Sequence, residues 1–178
     1  GQPDHSAQEL SAAPGNSPTP QFIYVSGSDR YALDVAQIAE VLPLAAPKAI
    51  PGAPAWVAGL IERHGTPVPV IDVPQLALGR AARPLRSTRL VLVQYEADTR
   101  GGDAPPLGLI VEHATHTRRI DAARFADSGI AMPNARWLGP VASLEDGLVQ
   151  RVDAQAMLDA QARALLFPAA VAAATQPA

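Results

Sequence analysis

The sequence predicts a mainly β protein, built as one or two small barrels with short helical turns and one helix near its C-terminal end. Three observations carry that prediction. Prolines at 51, 54, 67 and 69 break any long helix over residues 50–72, yet the segment is too apolar to be a solvated linker. Short runs of Val, Leu and Ile recur between clusters of Gly, Pro, Asp and Ser, the pattern of short strands and turns. Strands spaced this regularly, without long amphipathic helices between them, argue for barrels rather than a parallel sheet.

Taken in order, residues 1–20 are rich in Ser, Pro, Gln and Ala and are expected to be disordered. Gln21 to Ser26 reads as a strand, Gly27-Ser28-Asp29 as a turn, and Tyr31 to Val35 as a second strand. Ile38, Val41 and Leu42 fit either a helical turn before Pro43 or a bent strand, and periodicity does not separate the two. Ala53 to Val57 predicts one helical turn. Ala58 to Arg63 and Val68 to Val73 predict two strands paired across a His64-Gly65 turn. Pro74 and Gly79 bracket a short helix, Gln75 to Leu78. Arg80 to Thr88 reads as a polar connection. Arg89 to Tyr95 is the clearest buried strand, pairing antiparallel with Leu107 to Glu112 across a loop at 97–106, and Thr115 to Ile120 adds another. Asp146-Gly147, between Trp137 to Ser143 and Leu148 to Val152, is a hairpin signal. Asp153 reads as the N-cap of a helix running to about Phe167. Residues 168–178 form an Ala-rich flexible tail. The count comes to about nine or ten strands.

Composition narrows the function classes. At 178 residues with 48% apolar content the chain can bury a real core, and with 4% aromatics that core must be Val, Leu, Ile and Ala. A net charge of −3 gives no electrostatic support for nucleic-acid binding. No run of about 18 apolar residues occurs, so no membrane insertion is expected. With no cysteine, disulfides, thiol catalysis and thiolate zinc sites are excluded. No signal-peptide pattern opens the chain, and a cytoplasmic location is the default expectation.

Six stretches then stand in a telling order. They are Tyr31-Ala-Leu-Asp34; Ile38-Ala-Glu40-Val41-Leu42; Ile50-Pro51 with Ala53-Pro54; Val57-Ala-Gly59 with Gly65-Thr-Pro-Val-Pro69-Val-Ile-Asp72; the pair Leu90 to Tyr95 and Leu107 to Val111; and Trp137-Leu-Gly139 followed by Asp146-Gly147 and Asp153 with Leu158. Over about residues 21–158 the chain resembles the CheW-like family of chemotaxis adaptor domains. The resemblance implies two intertwined five-stranded, SH3-like β-barrels sharing a core. It implies a CheW-like domain over 21–167 and a non-catalytic scaffold with no cofactor. It implies two partners: the regulatory domain of a CheA-like histidine kinase and the cytoplasmic tip of a methyl-accepting chemoreceptor, in receptor arrays at the membrane.

By position, Ile38 and Glu40 fall where the family has receptor- or kinase-facing residues in its first barrel. Gly59 and Gly65 fall on family glycines required for close packing and a tight turn, and Asp72 on the aspartate ending the strand. The family turn commonly reads Asn-Leu-Arg-Gly, and its arginine contributes to signalling contacts. Here Glu62-Arg63-His64-Gly65 stands there, so a permanent planar charge gives way to a mostly neutral imidazole. Arg63 and His64 complete the expected protein-binding set, and the variant turn suggests an adaptor of a surface-sensing, cyclic-di-GMP pathway as an alternative.

Competing readings are weighed beside these. His113 and His116 have the spacing of two metal ligands on a helix, but on a strand they point to opposite faces, and no third ligand is evident. His64 and Asp72 suggest a base and its orienter, without any nucleophile motif. Arg80, Arg83, Arg86 and Arg89 recur every third residue and read as a solvated connection in preference to a patch for an acidic partner. Trp56 and Trp137 read as core or rim residues in preference to interface anchors. A small-molecule-binding barrel is the remaining alternative, and an enclosed pocket would be its mark.

Overall fold

The computed structural model describes residues 18–96, 104–127, 129 and 135–168. Its strands are β1 (Pro18–Ser26), β2 (Asp29–Asp34), β3 (Ile38–Pro43), β4 (Val57–Arg63), β5 (Thr66–Asp72), β6 (Arg89–Gln94), β7 (Pro106–Val111), β8 (His116–Asp121), β9 (Phe125–Ala126), β10 (Leu138–Leu144) and β11 (Gly147–Val152). Two short helices, α1 (Val73–Leu78) and α2 (Ala160–Leu166), accompany them. Single 3-10 turns follow Asp34, Asp121 and Asp153, and each of these carboxylates caps its own turn.

The strands form two sheets, in the orders β8-β1-β2-β11-β10-β9 and β3-β6-β7-β5-β4. Without β9 the two orders are the same design. A sequential hairpin, β10-β11 or β4-β5, lies beside a parallel partner, β2 or β7, which pairs antiparallel with β1 or β6 and then with β8 or β3. The halves of the chain interlock. The β6-β7 pair completes the sheet begun by β3, β4 and β5, and the β1-β2 pair completes the sheet of β8, β10 and β11.

Each sheet is closed by the chain leaving its edge strand. Beyond β3, Lys48 exchanges backbone bonds of 2.8 and 2.9 Å with Leu60 on β4. Beyond β8, β9 pairs with β10 through Phe125 and Ala126. Closure by continuation accounts for five full strands per barrel plus the two-residue β9, and it removes much of the open edge that invites strand addition.

Strand alternation builds three apolar cores. Ile23, Ala32, Ile120, Ala142 and Val149 fill one barrel, and Val68, Val70, Leu90, Leu92 and Ile110 fill the other. The opposite faces of the same strands, including Phe22, Tyr24, Leu33, Val91, Val93 and Leu109, meet in a shared core with Trp137, Met157 and Phe167. Because Leu90 and Leu92 face one core while Val91 and Val93 face another, β6 reads as an unbroken apolar run. The expected Val, Leu and Ile core is supplemented by aromatic pairs at the shared interface. Tyr24 stacks on Tyr31 at 5.5 Å and Tyr95 on Phe167 at 5.0 Å.

Several expectations need correction. The first strand starts at Pro18, not Gln21. Residues 18–20 pair only with β8, because β2 joins from Gln21 onward, so Pro18 and Pro20 lack an N–H on a side that needs none. Residues 1–17 and 169–178, expected to be disordered and flexible, lie outside the described residues, as does the loop at 97–103. The second strand ends at Asp34, and Val35 opens a 3-10 turn. The open choice at Ile38 to Leu42 resolves as strand β3, with a register shift between Ile38 and Glu40. Residues 51–56 form turns rather than a helical turn, with Ala53 N bonding Ile50 O and Val57 N bonding Pro54 O. Val73 begins α1 instead of ending β5. The helix expected from Asp153 to Phe167 is two pieces, because Asp159 caps α2 anew by accepting from Ala162 N at 2.7 Å. The two-residue β9 was missed.

Candidate protein-docking site

The site begins with a backbone constraint. Gly59 on β4 has φ +139°, and a Cβ there would lie 2.0 Å from the Lys48 carbonyl oxygen. A register shift between Val57 and Gly59 lets the chain beyond β3 cross directly over β4. The β4–β5 hairpin then turns through His64 at φ 52° and Gly65 at φ 78°, two consecutive left-handed residues as a two-residue turn requires. At the far end of β5, Asp72 caps α1 through Gln75 N at 3.0 Å and also accepts Ala82 N at 2.9 Å. Gly79, in the left-handed conformation, closes the helix.

Closure of this barrel brings Glu40 of β3 against Arg63 of β4, although these strands stand at opposite ends of the sheet order. The guanidinium grips the carboxylate with two of its nitrogens, Nη2 donating to Oε1 and Nε donating to Oε2 at 2.9 Å. That hydrogen bond holds the Glu40 carboxyl below its ordinary range and raises Arg63. Beside the pair, Val41 is 44% exposed. An open groove lined by Lys48, Leu60, Ile61, Glu62, Gly65 and Pro67 runs along the hairpin. His64 is exposed at its tip. Ile38 behaves differently, packing partly buried against the shared core. Ile38 and Glu40 both lie on β3, an end strand of the five-stranded sheet.

Sequence reasoning missed the partner of the arginine run. Glu112, at the end of β7, has a side chain with no exposed area. Arg80 reaches it with a fork of 3.1 and 2.8 Å, Arg83 Nε lies at 3.3 Å, and the Arg83 backbone N–H donates at 2.6 Å. The connection is therefore not simply solvated, since two of its arginines clamp a buried carboxylate. A Glu closing an apolar strand, with arginines every third residue upstream, was the available signal.

The residues weighed for an enzymatic reading are not brought together. His64 and Asp72 stand at opposite ends of β5, roughly 20 Å apart for a strand of that length, and both Asp72 oxygens accept backbone N–H groups. His113 lies in the connection between β7 and β8 with φ 51°, and His116 opens β8 with its Nδ1 2.8 Å from Thr115 Oγ1. Among the described residues no three His, Asp or Glu side chains gather as a metal site. Trp137 is 5% exposed and Trp56 is half-buried, and both pack on the shared core. Their carbonyls accept the backbone N–H of Asp153 and Asp72, each at 2.8 Å, a matched pair of contacts in the two halves. Filled barrel interiors speak against a small-molecule barrel. No described helix is long and apolar enough to cross a membrane.

Comparison with known proteins agrees with this architecture. No curated protein matches the chain. Among solved structures, the crystal structure of the scaffolding protein TtCheW from Thermoanaerobacter tengcongensis is similar, with a TM-score of 0.68 at 18% identity over 82% of this chain and 90% of that one. The model of the CheW-like domain matches residues 22–162, from the middle of β1 into α2. With the family's domain spanning both interlocked barrels, the chain belongs to the CheW-like domain family.

Proposed function

We propose that this chain is a non-catalytic coupling protein. It would hold the regulatory domain of a CheA-like histidine kinase beside the cytoplasmic tip of a methyl-accepting chemoreceptor, in the cytoplasm at membrane receptor arrays. The observation that carries the reading is the CheW-like domain match across both barrels. The filled interiors leave the outer surfaces as the working parts. The docking face is assigned to the β3 and β4–β5 surface, where Glu40, Arg63 and His64 lie beside exposed Val41, with Ile38 setting the strand from behind.

Pull-down with the cognate kinase regulatory domain and receptor tips tests this reading, and binding to neither overturns it. Exchanging the pair as Glu40→Arg with Arg63→Glu keeps an internal ion pair and inverts the surface it presents. Stability is expected to change little, since the pair is part-exposed and water screens it. Affinity for at least one partner is expected to fall about tenfold, as for an interface charge reversed against its complement. Unchanged affinity for both places docking elsewhere on the barrels.

A further inference from the structure

The connector from α1 to β6 carries Arg80, Arg83 and Arg86, and β6 opens with Arg89. These are four of the 14 Lys and Arg residues, and no acidic residue occurs between Asp72 and Glu96, in a chain whose net charge is −3. The connector is fixed in shape. Asp72 accepts Ala82 N, and Glu112 accepts Arg83 N. Thr88 Oγ1 donates to Arg83 O at 2.6 Å and accepts Leu85 N at 3.1 Å. Ser87 O accepts Ala114 N at 3.0 Å. Arg89 folds back to donate to the carbonyls of Arg86 and Thr88.

One carboxylate, Glu112, neutralises one of the four charges, and the side chains of Arg80 and Arg83 remain 37% and 58% exposed. The Arg86 residue is exposed, and no hydrogen bond or ion pair of its side chain occurs among the described residues. We propose that this connector is a second docking surface, preorganised for a carboxylate-rich protein segment. Guanidinium forks suit planar carboxylates, as the Arg80–Glu112 pair shows within the fold. A loop already held by internal bonds loses little entropy on binding. Pro84 and Leu85, between the arginines, add apolar contact. A nucleic acid or an anionic membrane fits less well. Residues 80–94 hold no aromatic side chain for bases to stack on, and the net negative chain is repelled by an extended polyanion.

The test uses fluorescence anisotropy of the full chain with a labelled peptide of repeating Glu-Ala units. Phosphatidylserine vesicles and a single-stranded oligonucleotide form parallel arms. Arg86→Glu removes no contact within the fold and is expected to melt like the parent. It should weaken peptide binding about fivefold or more, with the binding fading as salt rises. Arg119→Glu, the same charge change on exposed β8, should leave the affinity within about twofold. Equal losses in the two variants, no peptide binding at low salt, or tighter binding to vesicles or oligonucleotide would each overturn the proposal. Kinase and receptor pull-down by Arg86→Glu separates this surface from the β3 and β4–β5 face.

Discussion

Gly59→Ala is expected to destabilise the fold strongly, and by more than Gly65→Ala. Its φ of +139° lies where an L-residue is strained, and the added methyl would meet the Lys48 carbonyl oxygen at 2.0 Å and its carbon at 2.6 Å. Those atoms are backbone, held by the reciprocal Lys48–Leu60 bonds that close the barrel. Relief therefore requires opening the closure. Backbone strain of about 1–3 kcal/mol adds to overpacking of about 1–3 kcal/mol, so a loss near 4 kcal/mol is expected. Against a typical domain stability of about 5–15 kcal/mol that is a large share, yet one that leaves a folded state to titrate. Gly65→Ala is the internal control. Gly65 also has positive φ, but nothing lies within 4 Å of its missing Cβ, so only the left-handed penalty of about 1–2 kcal/mol applies. Urea denaturation of both variants checks the contrast. Equal losses would mean that conformation alone, and not the crossing of Lys48, makes Gly59 necessary.

Local chemistry was legible wherever a residue acts on its near neighbours. Pro74 and Gly79 delimited α1, His64-Gly65 the β4–β5 turn, and Asp146-Gly147 the β10–β11 turn. The hairpin pairs follow because their partners are close in sequence. The short segments beside them were harder. Ile38 to Leu42 spaces its apolar residues ambiguously because only one face of an edge strand is covered, and the burial of β3 alternates between half-buried and exposed. The helix expected from Asp153 onward failed because a second aspartate, Asp159, restarts it.

What no local pattern carries is which strand completes which barrel. The parallel contacts of β2 with β11 and β5 with β7 join segments far apart in sequence. The ion pairs tell the same story. Glu40 meets Arg63 only because the sheet closes, and Asp146 collects Arg30 at 2.8 Å and Arg118 at 2.9 Å from two other strands. Those two arginines hold the Asp146 carboxyl well below its ordinary value. The expected interface residues show the same limit. Their positions came from family likeness, while the inward packing of Ile38 and the pairing of Arg63 with Glu40 are properties of the closed barrel.

Glu112→Gln is expected to destabilise the fold at neutral pH and to flatten its acid unfolding curve. Burial by itself pushes the Glu112 carboxyl up. The Arg80 fork, the Arg83 N–H and the Arg83 guanidinium outweigh burial and bring it down to about 2 from an ordinary 4.5. A carboxylate with a lowered folded-state pKa contributes stability that is complete above its unfolded value, and it loses that stability as pH falls towards the folded value. The window is therefore pH 4.5 down to about 2, and the contribution is about 3 kcal/mol. Glutamine keeps an acceptor for the Arg83 N–H but cannot balance the charge of Arg80, and breaking a buried pair at one end costs about 3–5 kcal/mol. The exposed flanks of both arginines put the loss at the lower end of that range, since water can solvate the freed guanidinium groups. Urea denaturation at pH 7 and at steps from pH 5 to 2 reads the effect. The parent should start about 3 kcal/mol above the variant and converge on it near pH 2. Curves that stay parallel throughout would show that folding leaves the Glu112 carboxyl unshifted, so that its ion pairs with Arg80 and Arg83 contribute nothing net and the connector is held by its backbone bonds.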